Sequence, residues 1–356
     1  MILCLPSTGI AADSGSGGER YSVETLRGLV DAGDDPHNLL ARHQRPHQEL
    51  LGRVERLRWG RGLRWPVMPF VMTQAIGRCW RRHRFDVLVS HSLRYAGPAA
   101  ILARQRYGIT VPLVVHEHHW EPACGTAALE RWVLRQADRI IVDSAFVRRQ
   151  LVGQGIDVGK IRVVYCGTPR PAAMNTPQGL TVLSIGPLIP RKQPLELLRI
   201  FRRVAEDIPN AHLVWIGDGP LLASCEAYAE RHGLGTRTHF LGRVTESFKE
   251  AWLRSASVFA FTSELEGCPL AVLEAMAVGL PVVAWEAASL PELVVDGETG
   301  YLCTTMSRFI GCVAFLLEHP FDRQQMGAAA GARAAKHFTP GATVAGVRAV
   351  YREAAP

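Results

Sequence analysis

The chain has no uninterrupted apolar segment approaching the ~18 residues needed to span a bilayer, so a transmembrane helix is not expected. It has no Cys-x2-Cys pair either. Its eight cysteines, at 4, 79, 124, 166, 225, 268, 303 and 312, are scattered and read as small core residues of a reducing compartment, not as a disulfide frame or zinc site. The opening Met-Ile-Leu-Cys-Leu-Pro lacks the basic leader of a secretion signal and reads as a first strand. No Asp-x-Asp follows a predicted strand, because Asp34-Asp35 falls in a Gly/Pro turn, so no acidic metal clamp is expected. Short-period repeats and low-complexity tracts are missing as well. These absences exclude the membrane-spanning, disulfide-framed and repeat classes and point to a cytoplasmic globular protein.

What is present is enough for two domains: 356 residues, 47% of them hydrophobic. The two halves differ in charge. Residues 1–170 carry 24 Lys and Arg against 15 Asp and Glu, whereas residues 171–356 carry 16 against 18. The excess is concentrated between Arg42 and Arg106, where fourteen Arg face only Glu49, Glu55 and Asp86. The first half is therefore expected to meet something anionic. Within it, region 53–84 interleaves Arg with Trp59, Trp65 and Trp80. Such a mixture can seat against an anionic membrane surface. The ordinary alternative is a basic surface whose Trp residues pack inward. No nucleic-acid fold signature accompanies the region, so nucleic acid is not an expected partner.

Short apolar segments alternate with amphipathic ones along the whole chain. Strands are predicted at 2–5, 86–90, 112–115, 139–142 and 161–165, with helices at 20–31, 96–107, 127–137 and 144–153. A proline-broken stretch, 171–179, reads as a linker. Strands then recur at 181–185, 212–216, 238–241, 257–262, 281–284 and 300–303. Strand and helix in strict alternation argue for α/β architecture with parallel sheets.

The most informative stretch is Thr262-Ser-Glu-Leu-Glu266-Gly267-Cys268-Pro269-Leu270-Ala-Val-Leu-Glu274-Ala-Met-Ala-Val-Gly279-Leu-Pro281. It follows a buried strand, Pro269 suits a first helical position, and Gly279 with Pro281 suits a helix end. Amides of Gly267, Cys268 and Leu270 would then open a helix above a sheet, a ready anion site. Glu274 shares a helical face with Leu270, Leu273 and Ala277, where a carboxylate needs partners. Sugar hydroxyls would serve; so would a neighbouring backbone group or Arg.

This stretch resembles the Glu-x7-Glu signature of the retaining glycosyltransferases of family 4, in its Glu-Gly-x-Pro form. The resemblance covers nearly the whole chain and is tighter after residue 179. It implies the GT-B fold, α/β with two Rossmann-like domains facing across a cleft. The expected divisions are an acceptor-side domain over 1–170, the linker 171–179, a donor domain over 180–338, and a segment 339–356 whose helix crosses back to the first domain. The implied activity is transfer of a sugar from a nucleoside-diphosphate sugar, uridine being the commoner base, with retained configuration. The acceptor would be a hydroxyl of a glycan, a lipid-linked saccharide or a small natural product. Neither a cofactor nor a metal is implied. A nucleotide-sugar epimerase or hydrolase of the same fold, or a non-catalytic binding subunit, are the alternatives.

By the same resemblance Glu274 holds the donor ribose, Glu266 lies near the sugar, and Gly267, Cys268, Pro269 and Leu270 form the adjoining loop. Ser184-Ile-Gly186-Pro187-Leu-Ile-Pro-Arg191-Lys192 is similar to the segment in which an Arg and a Lys clamp the departing diphosphate. Lys192 matches the Lys. Pro187 stands where the Arg would be, and Arg191 is the substitute within reach. Gly17 and Gly18, in Ser14-Gly15-Ser16-Gly17-Gly18-Glu19-Arg20, correspond to a loop that meets the diphosphate or acceptor. Val114-Val115-His116-Glu117-His118-His119 ends a strand, and His116 matches a His that contacts the donor sugar; a plain structural His is the alternative. The cluster misses His-Glu-x-x-His because position 120 is Trp, so a metal is not expected. Gly217-Asp218-Gly219-Pro220 reads as a tight structural turn.

Overall fold

The computed structural model describes residues 1–6, 17–41, 54–57, 67–117, 126–169 and 171–355. They divide into two units: Met1–Cys166 with Pro340–Pro356, and Gly167–Thr339.

The first unit begins β1 (Ile2–Pro6), α1 (Gly17–Asp31), β2 (Asp35–Ala41), β3 (Val54–Leu57) and α2 (Val67–His83). It continues β4 (Val87–Ser90), α3 (Ala96–Tyr107), β5 (Leu113–Glu117), α4 (Ala127–Gln136), β6 (Arg139–Val142), α5 (Ala145–Gly153) and β7 (Ile161–Val163). Among the described residues its strands form one parallel sheet in the order β3-β2-β1-β4-β5-β6-β7. Alternate residues of each strand go to opposite faces, as the two-residue period requires. Leu3, Leu5, Val87, Val89, Val114 and Ile141 fill one core. Cys4, Leu88, Leu113, Val115, Ile140 and Val142 fill the other.

The second unit runs β8 (Leu180–Ile185), α6 (Pro194–Asp207), β9 (Ala211–Ile216), α7 (Leu222–Arg231), β10 (Thr238–Phe240), α8 (Glu246–Ser255) and β11 (Val258–Phe261). It ends α9 (Leu270–Ala277), β12 (Val282–Trp285), α10 (Leu290–Leu293), β13 (Gly300–Cys303), α11 (Met306–Glu318) and α12 (Pro320–His337). The sheet is again parallel, in the order β10-β9-β8-β11-β12-β13.

A last helix, α13 (Pro340–Ala354), belongs to the first unit. Val344, Val347, Val350 and Tyr351 line one of its faces and enter the core beside α1. Gly28 permits the approach, since a Cβ there would stand 2.3 Å from Val344 Cγ2. Arg348 Nε reaches the buried Asp34 Oδ2 at 2.6 Å, and Glu353 pairs with Arg139 and Arg162.

Several expectations change. Strands β2 and β3 and helix α2 have no counterpart in the sequence reading. The first four residues of β2 are Asp-Pro-His-Asn, which carry no apolar alternation, and Asp35 begins that strand instead of completing a turn. Gly17 and Gly18 are the first residues of α1, not part of a loop; residues 14–16 lie outside the described residues. Segment 171–179 falls within the second unit. Asn175 Nδ2 donates to Leu253 O and Ala256 O at 2.9 Å each, and the Thr176 and Gln178 amides donate to Arg254 O and Ser255 O. In region 53–84, Trp80 packs inward, 5.0 Å from the Phe85 ring, as the ordinary reading had it; Trp59 and Trp65 lie outside the described residues. Among the described residues no helix is long and apolar enough to cross a membrane.

Candidate active site

In an open parallel sheet, strand order reverses about a switch point, and the loops leaving the two central strands part to leave a crevice at their C-terminal ends. In the second unit those strands are β8 and β11. The loops leaving them are 186–193 and 262–269, which contain the residues singled out from sequence.

The first loop is held from below. Trp215 Nε1 donates to Gly186 O at 2.8 Å, and the Leu188 amide to Asp218 O at 3.0 Å. Gly217 packs so tightly that a Cβ there would stand 2.0 Å from Gly186 O. The turn 217–219 is therefore structural, and glycine is required by contact as well as by φ of +141°. Pro190–Lys192 then makes one 3-10 turn, stopped by Gln193 at a left-handed φ of +50°, before Pro194 opens α6. That turn presents Arg191 and Lys192 in succession.

The two loops are stitched together. Thr262 Oγ1 donates to Lys192 O at 3.0 Å, and Ser263 Oγ lies 3.1 Å from Arg191 O. Glu266 Oε1 receives Arg191 Nη1, Lys192 Nζ and Ser263 Oγ, each at 2.6 Å. Arg191 therefore shares the carboxylate with Lys192, although its position is four residues past Pro187.

Immediately after Glu266 comes a row of unused donors. Helix α9 starts at Leu270, and Pro269 caps it in an extended conformation with no side-chain cap, one place earlier than a first helical position. Among the described residues no acceptor takes the amides of Gly267, Cys268, Leu270 or Ala271. Donors of this kind at a helix start, beside two cations, are suited to an anion.

Of the two cations on Glu266, Lys192 is the more deeply buried. Its side chain is 12% exposed and Nζ lies 4.8 Å from the Phe261 ring centroid. Loss of water lowers its pKa from the ordinary 10.5, and the Glu266 carboxylate opposes that shift only in part. In the unfolded chain the proton is held more tightly, so between the depressed native value and 10.5 the unfolded state binds more protons and stability from this group rises with pH. Below that window both states are charged and the contribution is constant. Melting temperatures taken from pH 8 upward should therefore show an alkaline gain in the parent that Lys192→Met lacks.

Glu274 sits one helical turn into α9. The buried stripe of that helix is Val272, Leu273, Ala275 and Met276, so Glu274 occupies the half-buried edge beside Leu270 and Ala277, not the apolar face. Its oxygens each lie 3.0 Å from Nζ of Lys249, a residue of α8 that the sequence reading missed. A lysine between Phe248 and Glu250 carries no motif; the pairing exists only because α8 and α9 both pack on the same sheet.

His116 does not present itself to a ligand. It is 1% exposed at the end of β5, its Nε2 is 2.9 Å from Tyr351 Oη, and the His91 ring lies 4.2 Å away. These contacts match the structural alternative, in which His116 ties β5 to α13. His118 and His119 lie outside the described residues, and among the described ones no three His, Cys, Asp or Glu converge as a metal site.

Comparison with known proteins follows the two units. The family described as Glycosyl transferases group 1 matches residues 173–333, and the Glycosyl transferase 4-like domain matches 16–167. D-inositol 3-phosphate glycosyltransferase of Streptomyces scabiei is 31% identical over 314 residues, 76% of this chain and 69% of that protein. The chain belongs to the group 1 glycosyltransferases. A Mycobacterium tuberculosis glycosyltransferase with the same description is 30% identical over 306 residues, and the aligned part spans 62% of its length. Among solved structures, sucrose-phosphate synthase from Thermosynechococcus elongatus superposes with a TM-score of 0.83 at 20% identity, covering 99% of this glycosyltransferase and 98% of that chain. Anabaena HepE, solved with UDP and glucose, gives 0.79 at 17% identity, with 99% of each chain covered. These likenesses give the glycosyltransferase the GT-B fold.

Proposed function

We propose that the protein transfers a sugar from a nucleoside-diphosphate sugar, with UDP-sugars first among the candidates, to an acceptor hydroxyl, retaining the anomeric configuration. The observation that carries this reading is the convergence of Arg191, Lys192 and the free amides of Gly267, Cys268, Leu270 and Ala271 at the switch point of the second sheet. The diphosphate would lie on those amides. As the bond from the sugar C1 to the diphosphate oxygen breaks, its electron pair stays on that oxygen, and Lys192 with the amides stabilises the growing charge. The acceptor oxygen adds to C1 from the same face, and its proton passes to the departing phosphate oxygen. Glu274 would accept the ribose hydroxyls and Glu266 would orient the sugar while holding both cations in place. Neither a metal nor a resident cofactor is invoked.

The acceptor belongs to the same proposal: a hydroxyl of a glycan, a lipid-linked saccharide or a small natural product. Because curated relatives carry the description D-inositol 3-phosphate glycosyltransferase, inositol phosphates head the acceptor panel.

Thermal-shift titration with UDP, GDP and ADP tests the donor half. A nucleotide that binds only the folded state at about 100 times its dissociation constant adds about 2.7 kcal/mol. One nucleotide should raise the melting temperature, and Glu274→Ala should remove most of that rise. No shift with any of the three sinks the donor site. Turnover of the matching nucleotide-sugar should then need an acceptor. Consumption without acceptor would make the protein a hydrolase, and binding without turnover across a wide panel a binding subunit.

A further inference from the structure

Basic residues in this chain are almost all arginine. Of its 40 Lys and Arg, only Lys160, Lys192, Lys249 and Lys336 are lysine. Two of those four pair with the two carboxylates of the Glu-x7-Glu stretch: Lys192 with Glu266, and Lys249 with Glu274. Lys192 lies in the loop leaving β8. Lys249 comes from α8, an element that no sequence motif marks.

The geometry around Lys249 is specific. Nζ stands 3.0 Å from Glu274 Oε1, 3.0 Å from Glu274 Oε2 and 2.9 Å from Glu246 Oε2. An ammonium has three donors, and three carboxylate oxygens surround this one. The Lys249 and Glu274 side chains are 13% and 12% exposed, whereas Glu246 is 58% exposed. Lys249 thus has one anchor toward solvent and one inside the site. Its own helix start is fixed, since Thr245 Oγ1 accepts the Phe248 amide at 3.3 Å. Contact with both oxygens at equal distance sets the plane of the Glu274 carboxylate, which a single contact would not do.

Charge decides what this cluster can take. One ammonium between two carboxylates leaves a net negative group, which disfavours phosphate and favours hydroxyl donors. That separates Lys249 from Lys192, whose single carboxylate partner is shared with Arg191 and which borders the free amides.

We propose that Lys249 is a positioning residue for the nucleoside ribose, holding the Glu274 carboxylate in the orientation that accepts the ribose hydroxyls. The proposal rests on the reading of Glu274 as the ribose-binding residue.

Isothermal titration tests it with ribonucleotide and 2′-deoxyribonucleotide pairs: UDP with dUDP, GDP with dGDP, ADP with dADP. The parent should prefer the ribonucleotide of one pair, because a carboxylate placed for a hydroxyl loses a partner with the deoxy compound. Lys249→Met should weaken that ribonucleotide about tenfold and change the deoxy compound less than about twofold, so the preference collapses. Glu274→Gln should do the same. Lys249→Arg, which can still meet both oxygens with two donors, should keep most of the preference and serves as the reading if the Met variant does not fold. Equal losses for both compounds would show a merely structural lysine and overturn the proposal, as would a Met variant that keeps the parent's preference. A parent that binds none of the six overturns the donor-site reading along with it; a parent that binds both members of a pair equally removes the ribose role of Glu274 while leaving the diphosphate site standing.

Discussion

Lys192→Met is expected to lower kcat/KM for nucleotide-sugar turnover by roughly 10²–10³, the usual cost of removing one donor aimed at developing negative charge. The fold should survive the change. Glu266 Oε1 keeps Arg191 Nη1 and Ser263 Oγ at 2.6 Å each, so the carboxylate is not left without partners. The new methyl would meet the Phe261 ring that the ammonium now faces. The loss should therefore fall on the chemical step more than on nucleotide affinity, because in the proposed mode the diphosphate would keep the amides of Gly267, Cys268, Leu270 and Ala271. Lys192→Arg should recover only part of the rate, since a planar guanidinium does not occupy the site of a compact ammonium. Steady-state kinetics with the nucleotide identified by thermal shift would measure both variants. A Met variant within threefold of the parent would remove Lys192 from the mechanism.

Gly217→Ala is expected to be the most damaging single-methyl change in the second unit, at about 3 kcal/mol or more. Two costs add. The backbone at φ +141° suits glycine alone, and the new Cβ would stand 2.0 Å from Gly186 O and 2.7 Å from Gly186 C. That oxygen is also the acceptor for Trp215 Nε1, so relieving the clash breaks a half-buried hydrogen bond. At about 2–4 °C per kcal/mol for a unit of this size, the melting temperature should drop by roughly 6–12 °C. Gly233→Ala provides the control: its φ is +67° but nothing lies within 4 Å of its Cβ, so it should cost about 1 kcal/mol from backbone strain alone. Equal effects at the two positions would mean that the contact with Gly186 is not what requires glycine. Because residues 186–192 carry Arg191 and Lys192, the surviving Gly217→Ala protein should also bind nucleotide more weakly.

Much of the second unit was legible from its residues. Strands such as 181–185 and 300–303 are short apolar runs between turn residues, and a buried parallel strand leaves that trace whatever surrounds it. The 262–281 stretch likewise shows its own helix start and its own stop, with Gly279 at φ +77° ending α9 as the spacing implied. Local chemistry decides such features, so local sequence reveals them. Where local chemistry was ambiguous the reading slipped. Asp-Pro-His-Asn at the head of β2 looks like a turn, and becomes a strand because the neighbouring β1 offers it a ladder, from Ile2 opposite Asp35 to Pro6 opposite Leu39. His116 looked like a ligand residue because a strand end is where one is found; it is buried because Tyr351, 235 residues later, comes to lie on it.

The sequence by itself therefore determined the α/β class, the alternation of strand and helix, the helix start after Pro269 and the carboxylates at 266 and 274, all of which depend on neighbours a few residues away. Tertiary structure alone decided that Arg191 and Lys192 converge on Glu266, that Lys249 grips Glu274, and that Arg348 of α13 reaches Asp34. Those pairings join segments 25 to more than 300 residues apart. Each one needs a sheet order, a crossover and a packed helix face to bring its partners within hydrogen-bond reach, and no short-range pattern encodes that distance.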